Sequence, residues 1–300
     1  MRDGLGREQS IAGVGRNDWR FSGDGRHVAA IAGDGERRSL VVLDLATGIA
    51  RELGRPLFAD RVEWTRQGVV VRELRRIDPS GRNDRRRLVY YPLAGSGRTL
   101  VERRNVEHYA TAASGARVVF FASARDGASE IFDFSVEGGA PIARGRLRDV
   151  IDAEVAPDGS RAAVTTTRGV FLLDGRRPRR VGDEAKVSTL WFSPDGARLL
   201  FASPERATLL DGGERHRLAL DGARIESARF VAGGEVLLAV EKSLVRWNPS
   251  TGEHRAIATA RDGETFLAAD LFAGEFVFLA QRSTSKDAIA PPVVKIGQSR

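Results

Sequence analysis

The chain contains no cysteine, which excludes disulfides, thiolate metal sites and cysteine nucleophiles. Lysine is almost missing as well, standing only at Lys186, Lys242, Lys286 and Lys295. The net charge of +7 is therefore an arginine charge. Those arginines run along the whole chain instead of clustering with lysines, which argues for a solvated basic surface and makes nucleic acid an unexpected partner. No uncharged apolar run approaches the roughly 18 residues that span a bilayer. Residues 1–16, MRDGLGREQSIAGVGR, lack the apolar centre of a signal peptide, so the expectation is a soluble, unexported monomer.

Catalytic signatures are missing too. No G-x-S-x-G elbow occurs, and none of the five G-x-G pairs, Gly13-Val14-Gly15 and Gly33-Asp34-Gly35 among them, continues to a third glycine. No glycine precedes a lysine, which removes a P-loop. The four histidines, His27, His108, His216 and His254, have no H-x-x-x-H spacing and are read as surface or packed side chains. The expectation is a chain with no catalytic residue, no cofactor and no sequence-local metal site.

What is present is a repeat. A turn followed by a short apolar run recurs seven times, with first strand positions at Val28, Val69, Val118, Ala162, Leu199, Val236 and Phe276. The spacings are 41, 49, 44, 37, 37 and 40 residues, near the roughly 40–45 of one propeller blade. The 33 glycines suit many strands joined by tight turns. In each copy a strand ends at an Asp-Gly or Gly-Gly turn, a strong hairpin signal. A nearly continuous apolar strand follows, as expected of a strand packed on both faces. The third strand is mixed and the fourth polar.

The predicted fold is all-β: a seven-bladed β-propeller of four-stranded antiparallel blades, forming a single domain over 1–300. Blades are expected at 17–54, 58–101, 105–145, 148–182, 186–220, 223–258 and 263–298. The last copy lacks a fourth strand. Residues 7–16 have the character of one, and they are expected to close the ring, removing an open sheet edge. The turn aspartates Asp24, Asp158 and Asp195 are read as turn formers.

Two segments carry more specific wording. FSPDGARLLFAS (192–203) and FFASARDGASEIFDFSVEGG (120–139) resemble the WD40-like (PD40) repeat of the TolB type. Its pattern is a Ser-Pro-Asp-Gly turn, an apolar strand, a Ser-x-Arg-Asp-Gly loop, and a strand ending at Gly-Gly. Ser123, Arg125, Asp126, Gly127, Ile131, Phe132, Gly138 and Gly139 fill those slots. The likeness spans 17–297 and implies a bacterial propeller, with a lean toward the periplasm or cell envelope. The N-terminal domain that precedes the TolB propeller has no counterpart in the sequence.

The 49-residue spacing marks an insertion in blade two, RELRRIDPSGRNDRRR (72–87), with seven arginines against three carboxylates and a net charge of +4. Loops between second and third strands share a face with the connections between blades. The expected interaction face is therefore Arg72, Arg75, Arg76, Arg82, Arg85, Arg86 and Arg87, joined by Arg103, Arg104, Arg144, Arg146 and Arg148 from the next two connections. Such a patch attracts an acidic partner in a salt-sensitive way. No aromatic is interleaved, which counts against single-strand base stacking. The function expected is a non-catalytic protein-interaction scaffold. The alternative is a lactonase-like enzyme or ligand-binding propeller, with carboxylates from several blades converging on the central channel.

Overall fold

The computed structural model describes residues 5–9, 19–22, 24–33, 38–59, 61–76, 84–103, 105–175, 177–220, 222–261, 264–272, 275–282 and 293–298. All seven sheets are four-stranded. The N-terminal strand is β1 (Leu5–Gln9). Blade one is β2 (Trp19–Phe21), β3 (His27–Ala32), β4 (Ser39–Asp44) and β5 (Ala50–Gly54). Blade two is β6 (Val62–Thr65), β7 (Gly68–Arg75), β8 (Arg85–Pro92) and β9 (Arg98–Arg103). Blade three is β10 (Val106–Thr111), β11 (Val118–Ser123), β12 (Ala128–Ser135) and β13 (Gly138–Arg148). Blade four is β14 (Val150–Val155), β15 (Ala162–Thr166), β16 (Gly169–Leu173) and β17 (Arg179–Gly182). Two further blades follow: β18 (Thr189–Phe192) to β21 (Glu214–Ala219) with β19 (Arg198–Ser203) and β20 (Arg206–Asp211) between, then β22 (Ile225–Phe230), β23 (Val236–Val240), β24 (Ser243–Trp247) and β25 (His254–Thr259). The last strands are β26 (Glu264–Phe272), β27 (Glu275–Arg282) and β28 (Val293–Gln298).

Six blades are each completed by four consecutive strands. The remaining sheet runs β1-β28-β27-β26, drawn from both ends of the chain. The expectation of seven blades is corrected: among the described residues six contiguous four-stranded antiparallel blades are found, beside one composite sheet. The physical reason is that the repeating motif marks only the first two strands of a blade, so it counts a unit whether or not a fourth strand follows. In the composite sheet β1 pairs antiparallel with β28, with Leu5 opposite Gly297 and Gln9 opposite Val294. The rest of the expected closing strand, residues 10–16, lies outside the described residues.

The chain divides into two compact units, Gly13–Ala185 and the pair of segments Met1–Ala12 with Lys186–Arg300. In the first, the second strands are buried on both faces. Along β11, Val118, Phe120 and Ala122 join Val70, Leu88 and Tyr90 of blade two, while Val119 and Phe121 join Ala153, Val155 and Val164 of blade four. A period-2 strand sandwiched between two neighbours must be apolar at every position, so the run VVFFA is continuous instead of alternating. In the second unit, Leu200 and Leu209 pack with Ile225, Leu238 and the fully buried Trp247. Of the two aromatics before the best-matching turn, Phe192 is buried, while Trp191 packs against this cluster with the Arg229 guanidinium 4.9 Å from its ring.

The turns explain the repeated aspartates. Gly196 adopts φ 71°, and its N–H donates to the Ser193 carbonyl at 2.8 Å. Ser193 Oγ donates to Asp195, which also accepts the Ala197 N–H at 2.9 Å, while the Arg198 N–H donates to Ser193 Oγ at 2.9 Å. Ser22 and Asp24 repeat the arrangement in blade one, with Oγ donating at 2.6 Å. These carboxylates are occupied by backbone. The Ser193 hydroxyl holds the Asp195 pKa below its ordinary value, and the Ser160 N–H does the same for Asp158.

Candidate interaction face and the first-strand charge cluster

The insertion expected as a loop over 72–87 is strand at its two ends, 72–75 in β7 and 85–87 in β8, while 77–83 lie outside the described residues. β7 and β8 form a long hairpin in which Arg72 faces Leu88, Glu73 faces Arg87, Leu74 faces Arg86 and Arg75 faces Arg85. The loop expectation is corrected at those ends, where the cross-strand pairing of the blade continues out to Arg75 opposite Arg85. Arg82 and Arg104 lie outside the described residues. Arg75, Arg76, Arg85 and Arg86 are exposed. Arg75 binds Glu102 at 2.8 Å, Arg85 approaches the same carboxylate at 3.7 Å, and Arg76 stands 4.0 Å from Asp84. The Glu102 pKa is lowered first by the Arg75 hydrogen bond. Arg86 lies opposite Arg103 in the sheet, and Arg103 stacks 4.4 Å from the Phe132 ring of blade three. Arg72 is half-buried at the root of the hairpin.

Several of the expected face residues serve other purposes. Arg87 binds Glu73 at 2.8 Å, and the Glu73 side chain is 2% exposed. Glu73 also accepts the Leu57 N–H at 3.2 Å, and burial followed by the Glu73 charge pushes the Tyr91 hydroxyl up to about 12. Arg87 therefore neutralises a buried carboxylate. Arg144, Arg146 and Arg148 belong to β13, an outer strand, and not to a connection. A bulge around Gly145 (φ 136°) puts Ile142 opposite Asp133 and Gly145 opposite Ile131. Cross-strand partners share a sheet face, so Arg144 goes to the Asp133 side, where it binds that carboxylate at 2.7 Å. Arg146 falls opposite Glu130 on the other face and pairs with Asp126 at 2.9 Å.

The structure also gathers charges that the sequence kept apart. The first strands of the four blades in this unit are neighbours: β6 lies against β2 and β10, and β10 against β14. Arg61, just before β6, donates from Nε to Glu63 at 2.8 Å, from Nη1 to Asp152, and from Nη2 to the Ala153 carbonyl at 3.2 Å. Arg20 on β2 approaches Glu63 at 3.7 Å. The Tyr109 hydroxyl lies 2.8 Å from the Arg61 carbonyl and 2.9 Å from that of Val70, anchoring this edge to the blade core. Burial alone would raise the Asp152 pKa, but Arg61 and Arg20 hold it below its ordinary value. Glu154, two residues on, has no such direct ion pair among the described residues. Burial first, then the Glu63 and Asp152 charges, push its carboxyl well above the usual range. Burial and the cations Arg61 and Arg72 keep the His108 pKa low.

This cluster is a balanced network. Arg20 and Arg61 offset Glu63 and Asp152, while burial and the Glu63 and Asp152 charges hold the Glu154 pKa high. Among the described residues no group of three His, Cys, Asp or Glu side chains is placed to hold a metal ion. Sequence reasoning missed the cluster, although each first strand carries a charge inside an otherwise apolar stretch: WRF, VEWT, VEHYAT and VIDAEV. The folded pKa of Glu154 lies above its unfolded value, so its contribution to stability is present at acid pH and is lost as pH rises. Glu154→Gln should therefore raise the melting temperature at about pH 8 and leave it nearly unchanged at about pH 4.5. An equal shift at both pH values would contradict a raised Glu154 pKa.

No family model and no curated protein matches the chain. Solved structures do. A chain of a mitotic checkpoint complex is similar at TM-score 0.68 and 13% identity, covering 99% of this chain and 92% of that one. An oligogalacturonate lyase from Vibrio parahaemolyticus is similar at TM-score 0.67 and 9% identity, covering 97% and 91%. The β-propeller domain of the Trilobed protease from Pyrococcus furiosus, described as having an open velcro topology, is similar at TM-score 0.67 and 14% identity, covering 96% and 95%. At these identities the likeness shows the β-propeller fold alone. No helix among the described residues is long and apolar enough to cross a membrane.

Proposed function

We propose that this chain is a non-catalytic interaction scaffold of the TolB-like propeller type, which holds an acidic protein partner against the face carrying the β7–β8 hairpin. What supports this reading is the exposed arginine at the end of that hairpin: Arg75, Arg76, Arg85 and Arg86 are all exposed, in a segment of net charge +4 over 72–87. An acidic partner is attracted to such a surface, with the salt sensitivity of exposed ion pairs. The Ser193–Asp195–Gly196 and Ser22–Asp24–Gly25 turns support the family reading, because both use the Ser-x-Asp-Gly hydrogen-bond pattern. Against a reaction centre on the first strands stands the occupation of Glu63 and Asp152 by Arg61.

Binding of a fluorescent poly-L-glutamate peptide tests the face. Arg85→Glu/Arg86→Glu should weaken binding by about tenfold or more, and added salt should weaken it further. The matched change Arg215→Glu/Arg217→Glu on the outer strand β21 should have a much smaller effect. Equal losses from the two double variants would overturn the assignment. Arg87 is left intact so that the Glu73 ion pair, and with it the fold, is preserved.

A further inference from the structure

We propose that the groove between blades three and four binds a small carboxylate carried on an apolar body. The groove encloses about 570 Å³, within the roughly 300–1,000 Å³ of small-ligand sites. Its basic wall is built by two guanidiniums on one oxygen. Arg117 Nε lies 3.1 Å and Arg144 Nε 2.7 Å from Asp133 Oδ2. Asp133 is 4% exposed and can offset one of these charges but not both. Arg117 is held in place by the Gly159 and Ser160 carbonyls, each accepting from Nη1 at 3.2 Å. The cation excess is felt within the site: burial lowers the Arg117 pKa, Asp133 opposes this, and Arg144 lowers it further. Asp174 also lines the groove, but its carboxylate is bound by Arg179 at 3.0 Å.

The second half of the recognition is apolar. Ile142 lines the groove and is 55% exposed, an unusual state for a large aliphatic side chain, and Phe134 and Leu173 lie beside it. Two residues apart on β13, Ile142 and Arg144 lie on the face that Asp133 shares, so the apolar and cationic contacts are offered together. A monoanionic acid with a hydrophobic tail satisfies both: its carboxylate meets the Arg144 edge, and its tail covers Ile142. These residues are separate from Arg75, Arg85 and Arg86, so the site stands or falls independently of the hairpin face.

The test is titration of the full chain with 3-phenylpropionate by ligand-detected NMR, with 3-phenylpropanamide as the uncharged control. Saturable binding of the acid and none of the amide is expected. Arg144→Gln should weaken the acid by about tenfold, the effect of losing a charge-assisted hydrogen bond. Ile142→Asn should weaken it while retaining preference for the acid over the amide. Arg144 is 39% exposed, so its replacement should leave the thermal transition close to that of the parent. Absence of saturable acid binding, equal binding of the amide, or full binding by Arg144→Gln would overturn the proposal.

Discussion

Arg61→Met should lower the unfolding free energy by about 3–5 kcal/mol, the cost of removing one partner from a buried ion pair. Arg61 is the hub of the first-strand cluster, giving Nε to Glu63, Nη1 to Asp152 and Nη2 to the Ala153 carbonyl. Its side chain is 13% exposed and the Glu63 side chain 8%. Methionine fills much of the same volume, so lost packing is a minor part of the effect. The larger part is Asp152 left without its ion-pair partner and Glu63 left with Arg20 alone at 3.7 Å, beside Glu154. Because those carboxylates can be neutralised by protons, the penalty should be largest near neutral pH and shrink toward about pH 4. Urea unfolding at the two pH values measures both. A loss below about 1 kcal/mol at neutral pH would show that solvent reaches the carboxylates and screens them.

The second large effect is expected in the packing between blades. Phe121 is fully buried, on the face of β11 that meets Ala153, Val155 and Val164 of blade four. Phe121→Asp removes about 1.5–3 kcal/mol of apolar burial and adds an unpaired charge in a site without donors. The sum is more than about 4 kcal/mol, enough to abolish cooperative folding of a marginally stable domain. Phe121→Leu, by contrast, should cost only about 1–1.5 kcal/mol. Circular dichroism melts of the two variants measure the contrast. A folded Phe121→Asp with a melting temperature near the parent would mean that this face of β11 is not packed against blade four.

That face assignment shows what the sequence made legible. A continuous run such as VVFFA, placed after a turn, states that both faces are covered. The polar fourth strands state which edge is outside. The Asp-Gly turns were readable because Ser, Asp and Gly act on their own neighbours, within five residues. The pairing of the N-terminal strand with the C-terminal sheet was legible from a missing fourth strand. The blade count was not, because the repeat registers hairpins and not completed blades.

The charge cluster was hidden for a different reason. Arg61 and Asp152 are 91 residues apart, and only the juxtaposition of first strands makes them partners. β13 runs further than the expected blade boundary at 145, through Arg148, for eleven residues. A single bulge at Gly145 then sends Arg144 and Arg146 to opposite faces. No count of arginines along the chain foretells that division.

The first-strand carboxylates are engaged by the protein's own cations and not held ready for a ligand. A double-mutant cycle on Arg61→Met and Asp152→Asn, read by urea unfolding, measures this directly. The expected result is strong coupling: the double variant should be less destabilised than the sum of the single variants by about 1.5–3 kcal/mol. Additivity within about 0.5 kcal/mol would contradict it, leaving Asp152 unengaged and its carboxylate available to bind something else.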